Sequence, residues 1–134
     1  MTRQSRRTFL TSASLLSLAA AAKAVPMQKE KSLLIHIAFF YLKNPKSTAD
    51  RDKLVEGIKS LERIETIRSM HVGIPADTPA RSMKESGYNV SELLFFDDVA
   101  GQTAYQDHSI HKDFVDNYST PLCKKVVVYD SVTV

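Results

Sequence analysis

Cysteine is almost absent from this chain: Cys123 is the one cysteine in 134 residues. A lone cysteine forms no internal disulfide, so packing of apolar side chains must stabilise the fold, even in an oxidising compartment. Apart from Lys124 and Lys125, no cationic residue adjoins Cys123 in sequence, and a reactive thiol needs such neighbours. We predict that Cys123 is a small buried hydrophobe, the alternative being a reactive thiol or an intermolecular bridge.

The short motifs of the common enzyme classes are absent as well. The sequence has no G-x-S-x-G, Walker loop, G-x-G-x-x-G or C-x-x-C, which excludes the usual hydrolase, nucleotide-binding and dithiol interpretations. It also lacks a ligand set for haem, flavin or an iron–sulfur cluster. His108 and His111 could hold a metal together with Asp107 or Asp113, but no third committed ligand accompanies them. We therefore predict no cofactor and no metal.

Excess charge of one sign is confined to the amino terminus. Residues 1–24 contain four of the 18 basic side chains and none of the 15 acidic ones. The remaining residues therefore carry 14 basic and 15 acidic side chains. A nearly neutral domain lacks the basic face that nucleic acids and anionic membranes require. We predict no nucleic-acid partner.

That amino terminus has the composition of an export signal. The pair Arg6-Arg7 precedes an uncharged stretch, Thr11 to Ala22, and Ala24 offers a small residue for cleavage. The pattern is typical of a bacterial twin-arginine signal, which is an address and not an anchor. A membrane anchor needs about 20 apolar residues, and this stretch is shorter and rich in Ser, Thr and Ala. We predict that residues 1–24 are removed, that no membrane anchor remains, and that the mature protein is periplasmic or extracellular.

The rest of the chain predicts a polar lead over residues 25–31 and one domain over residues 32–134. Strands are predicted at 32–42, 64–72, 88–96 and 124–134, from apolar runs bounded by Pro, Gly and Asn. Ser47 or Thr48 can cap a helix that ends near Arg63. Asp97-Asp98 can cap a second helix, which begins near Val99 and is interrupted around Ser109. The order βαββαβ predicts an α+β, ferredoxin-like fold with both helices on one face of an antiparallel sheet.

The first, third and fourth strands are apolar on both faces. In the first, Leu33, Ile35, Ile37 and Phe39 alternate with Leu34, His36, Ala38 and Phe40. Successive side chains of a strand point to opposite faces, and two helices cover only one of them. An uncovered second face would exceed the several hundred Å² of apolar patch that soluble monomers tolerate. We predict a homodimer, a dimeric α+β barrel with stacked antiparallel sheets.

Short motifs distributed from His36 to Ser131 point to a family. They are His36-Ile37-Ala38-Phe39-Phe40, Gly73-Ile74-Pro75-Ala76, Tyr88-Asn89-Val90-Ser91, Phe95-Phe96-Asp97-Asp98, Tyr105 with His108 and His111, and Val127-Val128-Tyr129-Asp130. Together they resemble the stress-responsive A/B barrel (Dabb) family. The resemblance implies a dimeric α+β barrel with a pocket in each protomer between the helices and the curved sheet.

The resemblance also implies chemistry for Tyr105 and His111. They match the tyrosine and histidine with which a plant member of the family closes a polyketide ring without a cofactor. A histidine near neutrality and a phenol suit removal of a proton and stabilisation of an oxyanion. Ser109 stands where the family usually has Pro. Six residues apart on an unbroken helix, Tyr105 and His111 would diverge by about 120°, and a break capped by Ser109 would relax this.

Strand alternation places further residues on the pocket face, and the predicted ligand-binding set is His36, Ala38, Phe40, Glu92, Leu94 and His108. His36 is expected to be a core histidine with satisfied hydrogen bonds, or alternatively a donor that lines the pocket. Glu92 is expected near the strand entrance, reaching water. Its alternative is a pocket carboxylate with a raised pKa.

Two functions of different class remain open at this point. The first is a stress-protective or binding homodimer that holds a small apolar or aromatic molecule. The second is a cofactor-independent cyclase, lyase or monooxygenase-like enzyme in which Tyr105 and His111 act as donor and base.

Overall fold

Four antiparallel strands form one sheet, at the places where apolar and β-branched residues are dense. The computed structural model describes residues 33–134, so the predicted signal over residues 1–24 and the lead over 25–31 lie outside the described residues. The strands are β1 (Leu34–Leu42), β2 (Ile67–Gly73), β3 (Val90–Phe96) and β4 (Cys123–Val132). Their spatial order is β2-β3-β1-β4. β1 therefore lies in the sheet interior and β4 at an edge.

The first helix, α1 (Thr48–Ser60), begins where the sequence predicts. The Ser47 hydroxyl accepts a hydrogen bond from the Asp50 backbone N–H at 3.1 Å, and the Asp50 carboxylate complements the helix dipole. Leu54 and Ile58 are fully buried on its inner face. A 3₁₀ turn, Leu61–Arg63, continues the helix to the predicted end.

The second helical region is interrupted, as predicted. It consists of α2 (Val99–Asp107), α3 (Ser109–Phe114), a π-helical turn (Val115–Ser119) and a last helical turn (Thr120–Leu122). The Asp98 carboxylate caps α2 by accepting from the Gly101 N–H at 2.8 Å. The break falls at His108, whose backbone is extended (φ −68°, ψ 138°). His108, and not Ser109, caps α3, because its Nδ1 accepts from the Ile110 N–H at 3.1 Å.

All helices pack on the same face of the sheet, which we call the covered face. Along β1 the even-numbered residues are buried and the odd-numbered ones only half-buried. On the covered face Phe40 meets Phe114, with ring centroids 6.0 Å apart, and Phe96 meets Tyr105 at 5.3 Å. Cys123 is buried in this core, as predicted. Burial raises the pKa of its thiol to about 11, although Lys43 partly opposes the shift. The fold is thus the predicted ferredoxin-like α+β arrangement.

The opposite side, which we call the open face, carries no helix of residues 33–134. It carries Leu33, Ile35, Ile37, Phe39, Leu93, Phe95, Val127 and Tyr129, which confirms that these strands are apolar on both sides. The Tyr129 side chain is 60% exposed. On the covered face, β4 also projects beyond the helices, so Val128 is 46% exposed.

A glycine allows the helical layer to pack closely. A Cβ atom on Gly57 of α1 would lie 2.4 Å from Cγ of Tyr118 in the π-helical turn. Such a contact is impossible without displacement of the ring. Gly57 therefore lets α1 lie against the segment that bounds one side of the site described next.

Candidate functional site

A cavity of about 220 Å³ lies between the covered face and the α2–α3 region. A cavity of about 150 Å³ can hold benzene, and drug-sized ligands need about 300 Å³ or more. This cavity therefore suits a molecule with one ring or an equivalent apolar body. Its lining residues are His36, Ala38, Phe40, Glu92, Tyr105, Gln106, His111, Phe114, Val115, Ser119, Val126 and Val128.

The floor of the cavity comes from two neighbouring rows of cross-strand partners. In one row Ala38 of β1 pairs with Glu92 of β3 on one side and with Val128 of β4 on the other. In the next row His36 pairs with Asp130 of β4. Directly paired residues share a face and lie within side-chain reach. The register therefore brings two carboxyl groups and an imidazole to one end of the cavity.

His36 is held in a fixed orientation by Asp130. Its Nδ1 lies 2.6 Å from Oδ1 of Asp130. A carboxylate only accepts, so Nδ1 carries the hydrogen and Nε2 is left for another partner. Oε1 of Glu92 lies 3.9 Å from Nε2, which is too long for a direct hydrogen bond. His36 is thus a buried histidine with a hydrogen-bond partner, and it also lines the cavity, but its Nδ1 hydrogen is directed to Asp130 and not into the cavity.

Glu92 does not reach water, and our expectation of a solvated side chain was wrong. The residue is 1% exposed, because it sits in the middle of the covered face in β3 and not at the strand entrance. Burial raises the pKa of its carboxyl to about 8. It is therefore mostly protonated at neutral pH, so that it can both donate and accept a hydrogen bond.

Tyr105 of α2 lies between the two cavity histidines. Its ring centroid is 4.4 Å from that of His111 and 5.7 Å from that of His36. Burial, with smaller contributions from Glu92 and Asp130, raises the pKa of this phenol well above 10.0. The hydroxyl therefore stays protonated at physiological pH and acts as a hydrogen-bond donor.

The surroundings of His111 in α3 favour its neutral form. Its Nδ1 lies 3.2 Å from the Gln106 carbonyl oxygen, which only accepts, so Nδ1 carries the hydrogen and Nε2 keeps a lone pair. Burial lowers the pKa of His111 from 6.5. The Gln106 hydrogen bond opposes the shift, and His36 adds to it. A neutral imidazole with a free Nε2 can accept a proton.

The break at His108 explains how Tyr105 and His111 converge. On one continuous helix their directions would differ by about 120°. The extended backbone of His108 starts a new helix axis at Ser109. The two rings then come into contact, although Ser109 stands where the resemblance leads one to expect Pro.

Two of the predicted ligand-binding residues do not line the cavity. Leu94 is fully buried in the core and pairs with His36. The Tyr105 ring contacts both His36 and Phe96, so it lies over this part of the sheet. His108 is occupied as the α3 cap, and its Nε2 lies 3.4 Å from Oε2 of Glu65. The other predicted residues, namely His36, Ala38, Phe40, Glu92, Tyr105 and His111, line one cavity.

Sequence reasoning assigned no role to several residues of the site, of which Asp130 is the most important. It pairs with His36 across 94 positions of sequence, and the Val126, Val128, Asp130 alternation was the available signal. The others are Gln106, Phe114, Val115, Ser119, Val126 and Val128. The recurrence of Ile110 and Phe114 at i and i+4 marks an inward helix face, but not the cavity.

The rest of the described chain, residues 33–134, offers no stronger site than this cavity. No group of three or more His, Cys, Asp or Glu side chains among them is placed to hold a metal ion, and no helix among them is long and apolar enough to cross a membrane. A hollow of about 540 Å³ lies on the open face, lined by Phe39, Tyr41, Glu85, Tyr88, Lys125, Val127 and Tyr129. It contains no histidine, so the smaller cavity carries the stronger acid/base set.

Comparison with solved structures shows the same fold in proteins of low sequence identity. A Dabb family protein from Mesorhizobium loti with a ferredoxin-like fold is 24% identical, with a TM-score of 0.62 over 77% of this chain and 98% of its own. A dimeric ferredoxin-like protein of unknown function from Thermobifida fusca is 17% identical, with a TM-score of 0.63 over 78% and 93%. A hydroxynitrile lyase from Passiflora edulis is 20% identical, with a TM-score of 0.65 over 78% and 95%.

Comparison with curated proteins gives no match. The sequence model of the Stress responsive A/B Barrel Domain family matches residues 34–133, a range that includes every strand and helix described above. The chain therefore belongs to the stress-responsive A/B barrel (Dabb) family.

Proposed function

We propose that this protein is a cofactor-independent acid/base enzyme that acts on a small aromatic or mainly apolar molecule in the cavity. The observation that carries the proposal is the contact between Tyr105 and His111, with ring centroids 4.4 Å apart in a cavity that both line. One is a buried phenol that stays protonated, and the other is an imidazole that stays neutral. Such a pair is suited to proton transfer at a carbonyl or hydroxyl group.

In the proposed reaction, Nε2 of His111 removes a proton from the substrate. The proton comes either from a carbon next to a carbonyl or from a hydroxyl, and the developing charge resides on oxygen. The Tyr105 hydroxyl donates a hydrogen bond to that oxygen. Ring closure, bond cleavage and simple exchange of the proton with water are all outcomes of this step. Hydroxynitrile cleavage, which the similar Passiflora edulis protein is named for, belongs to the same class.

Two assays would test the proposal without knowledge of the natural substrate. One is uptake of deuterium from D₂O into the methyl group of acetophenone, followed by mass. The other is cleavage of mandelonitrile to benzaldehyde and hydrogen cyanide. We expect His111→Ala to lower the rate by about 10²–10⁴-fold and Tyr105→Phe by about 10²-fold. Lys53→Ala is the control, because Lys53 is exposed on α1 and lines neither the cavity nor the open face. Undetectable wild-type turnover, or equal rates in wild type and both cavity variants, would reject the enzyme.

The rate should also depend on pH in a defined direction. Only neutral His111 is a base, and burial lowers its pKa from 6.5. The rate should therefore rise with pH through a value below 6.5 and stay level until Glu92 of the same cavity ionises near pH 8. The raised pKa of Tyr105 keeps the phenol protonated over this range.

A binding protein without chemistry is the second candidate, and the apolar part of the cavity favours it. Phe40, Phe114, Val126 and Val128 supply much of the wall, which alone would hold an apolar ring. In this case, the Tyr105→Phe and His111→Ala variants would bind such a ring as tightly as wild type, and no variant would turn it over.

We propose that the chain acts as a homodimer. The apolar open face supports this, because an uncovered patch of this kind is atypical of soluble monomers. The similar structure from Thermobifida fusca is described as dimeric. Stacking of two open faces around a two-fold axis would bury Ile37, Phe39 and Phe95 of each chain.

We also propose export by the twin-arginine route, supported by Arg6, Arg7 and the small residues that follow in the sequence. The protein recovered from the periplasm should have Val25 as its first residue by intact mass. Replacement of both arginines by lysine should leave the full-length chain in the cytoplasm. Normal processing of that double variant would contradict the assignment.

A further inference from the structure

Glu92 is the one ionisable side chain of the cavity whose position neither folding nor the proposed proton transfer explains. It is flanked on the covered face of β3 by Val90 and Leu94, both fully buried apolar residues. A leucine at this position would continue that apolar row. A buried carboxyl instead costs free energy unless it makes hydrogen bonds.

Within the described chain those hydrogen bonds are incomplete. Oε2 is buried and has no protein partner. Oε1 is 3.9 Å from Nε2 of His36, beyond direct hydrogen-bonding distance. A polar atom of a bound molecule placed between Oε1 and Nε2 could contact both. Buried polar groups in native proteins are nearly always paired. The hydrogen-bond partner of Glu92 must therefore come from outside the described residues.

The space beside Glu92 is open because its neighbour in the sheet is small. Ala38 pairs with Glu92, and both line the cavity. A longer side chain at position 38 would occupy the floor next to the carboxyl. The carboxyl therefore faces a volume that fits one ring, with Phe40 and Phe114 providing the apolar contacts.

We propose that Glu92 is a specificity-determining residue that selects ligands carrying a hydroxyl group, such as phenols or enols, over apolar molecules of the same size. The proposal rests on the acid/base site described above and names the class of molecule that this site accepts. The hydroxyl donates to Glu92, and it can accept from the protonated carboxyl in return. A site built to bind a hydroxyl discriminates strongly against analogues that lack it, because its own polar groups are then left unpaired.

Other ligand classes fit this carboxyl less well. An anionic ligand would face the charge of Asp130, which is hydrogen-bonded to His36 beside Glu92. An ammonium ligand would require ionised Glu92, which burial disfavours. A neutral hydroxyl meets neither obstacle.

The test compares phenol with toluene, which differ by a hydroxyl in place of a methyl group. Dissociation constants are measured by calorimetry for the wild-type protein, Glu92→Leu and Glu92→Gln. The free energy of removing each ligand from water is the same whichever protein binds it. A change in the phenol/toluene preference between proteins therefore isolates the contribution of residue 92. We expect the preference for phenol to fall by about tenfold or more in Glu92→Leu. It should stay within about threefold in Glu92→Gln, since the amide still donates and accepts.

Toluene binding serves as the internal control, because Glu92→Leu should bind toluene at least as well as wild type if its cavity is intact. An unchanged preference in Glu92→Leu, or no preference for phenol in wild type, would overturn the proposal. The second outcome is the one expected if water alone satisfies the carboxyl.

Infrared difference spectra provide a measurement that does not depend on the folding of a leucine variant. The carbonyl stretch of protonated Glu92 should move to lower frequency when phenol binds to wild type and not when toluene binds. Glu92→Gln identifies the band by its loss. A band unaffected by phenol would overturn the proposal. These binding results are separate from turnover, so failure of the Tyr105→Phe and His111→Ala experiment would leave them standing.

Discussion

The two faces of the sheet use the same strands but depart from ordinary burial in opposite ways. The covered face buries an imidazole and a carboxyl, His36 and Glu92, among apolar neighbours. The open face carries a row of large apolar residues, including Ile37 and Phe39, and no helix of residues 33–134 lies above them. Polar groups in a core cost stability, and apolar groups in water cost solubility. Neither face is explained by the folding of one chain, which is why we propose a bound molecule at the covered face and a second subunit at the open face.

The largest expected effect distinguishes the faces at two adjacent residues of β3. Phe96 is fully buried on the covered face, so Phe96→Ala should lower the free energy of unfolding by about 3–5 kcal/mol at every protein concentration. Phe95 points to the open face, so the effect of Phe95→Ala should shrink as the protein is diluted and the dimer dissociates, because the residue acts on the dimer. Chemical denaturation at two concentrations measures both. Identical concentration dependence in the two variants would remove the distinction between the faces.

A charge on the open face should break assembly while leaving the covered face intact. Ile37→Asp would place a charge in the middle of each of two stacked sheets, where it would be desolvated without a partner. We expect the dimer dissociation constant to rise by about 10³-fold, equivalent to about 4 kcal/mol. Sedimentation velocity measures the change. Lys53→Asp, on the exposed side of α1, is the control and should remain dimeric. A wild type that sediments as a monomer would contradict the proposed assembly.

A slightly smaller effect concerns the carboxyl of the covered face. Burial raises the pKa of Glu92 from 4.5 to about 8, so between these values the folded state binds more protons than the unfolded state. Stability must then fall as pH rises. From pH 5 to pH 8 the wild type should lose up to about 3–4 kcal/mol relative to Glu92→Gln. Denaturant unfolding across this range measures the loss. Parallel stability curves for the two proteins would show that Glu92 is not buried as described.

The helices and strands were predictable because their signals are local. Ser47 caps α1 and Asp98 caps α2 as their side-chain chemistry predicts. The strand starts were less accurate. Ile64 was predicted to begin the second strand, but it is a buried residue after the 3₁₀ turn. Asn89 was predicted inside the third strand, but its side chain binds the Leu42 N–H and the Pro45 carbonyl. Each residue directly precedes or follows residues with a strand pattern, so the sequence does not show that its own contacts lie outside the strand.

Much of the site was also predictable, but not its arrangement. Tyr105 and His111 stand in one short segment, and strand alternation places His36 and Ala38 on the inner face. The capping role of His108 was missed, because a histidine cap competes with the more usual serine at the next position. Leu94 was assigned to the cavity because it shares a face of the sheet with Glu92. The cavity covers only part of that face, and Leu94 lies in the packed core beside it.

The sequence alone determined the order of strands and helices, the two-sided apolar character of the sheet and the segment that carries the acid/base residues. These properties depend on periodicity and capping within about ten residues of chain. Only the tertiary structure decided that His36 meets Asp130, that Glu92 is buried beside Ala38, and that Leu94 lies outside the cavity. The register between strands distant in sequence fixes those contacts. That register is set by packing of the whole sheet against its helices, which no local pattern contains.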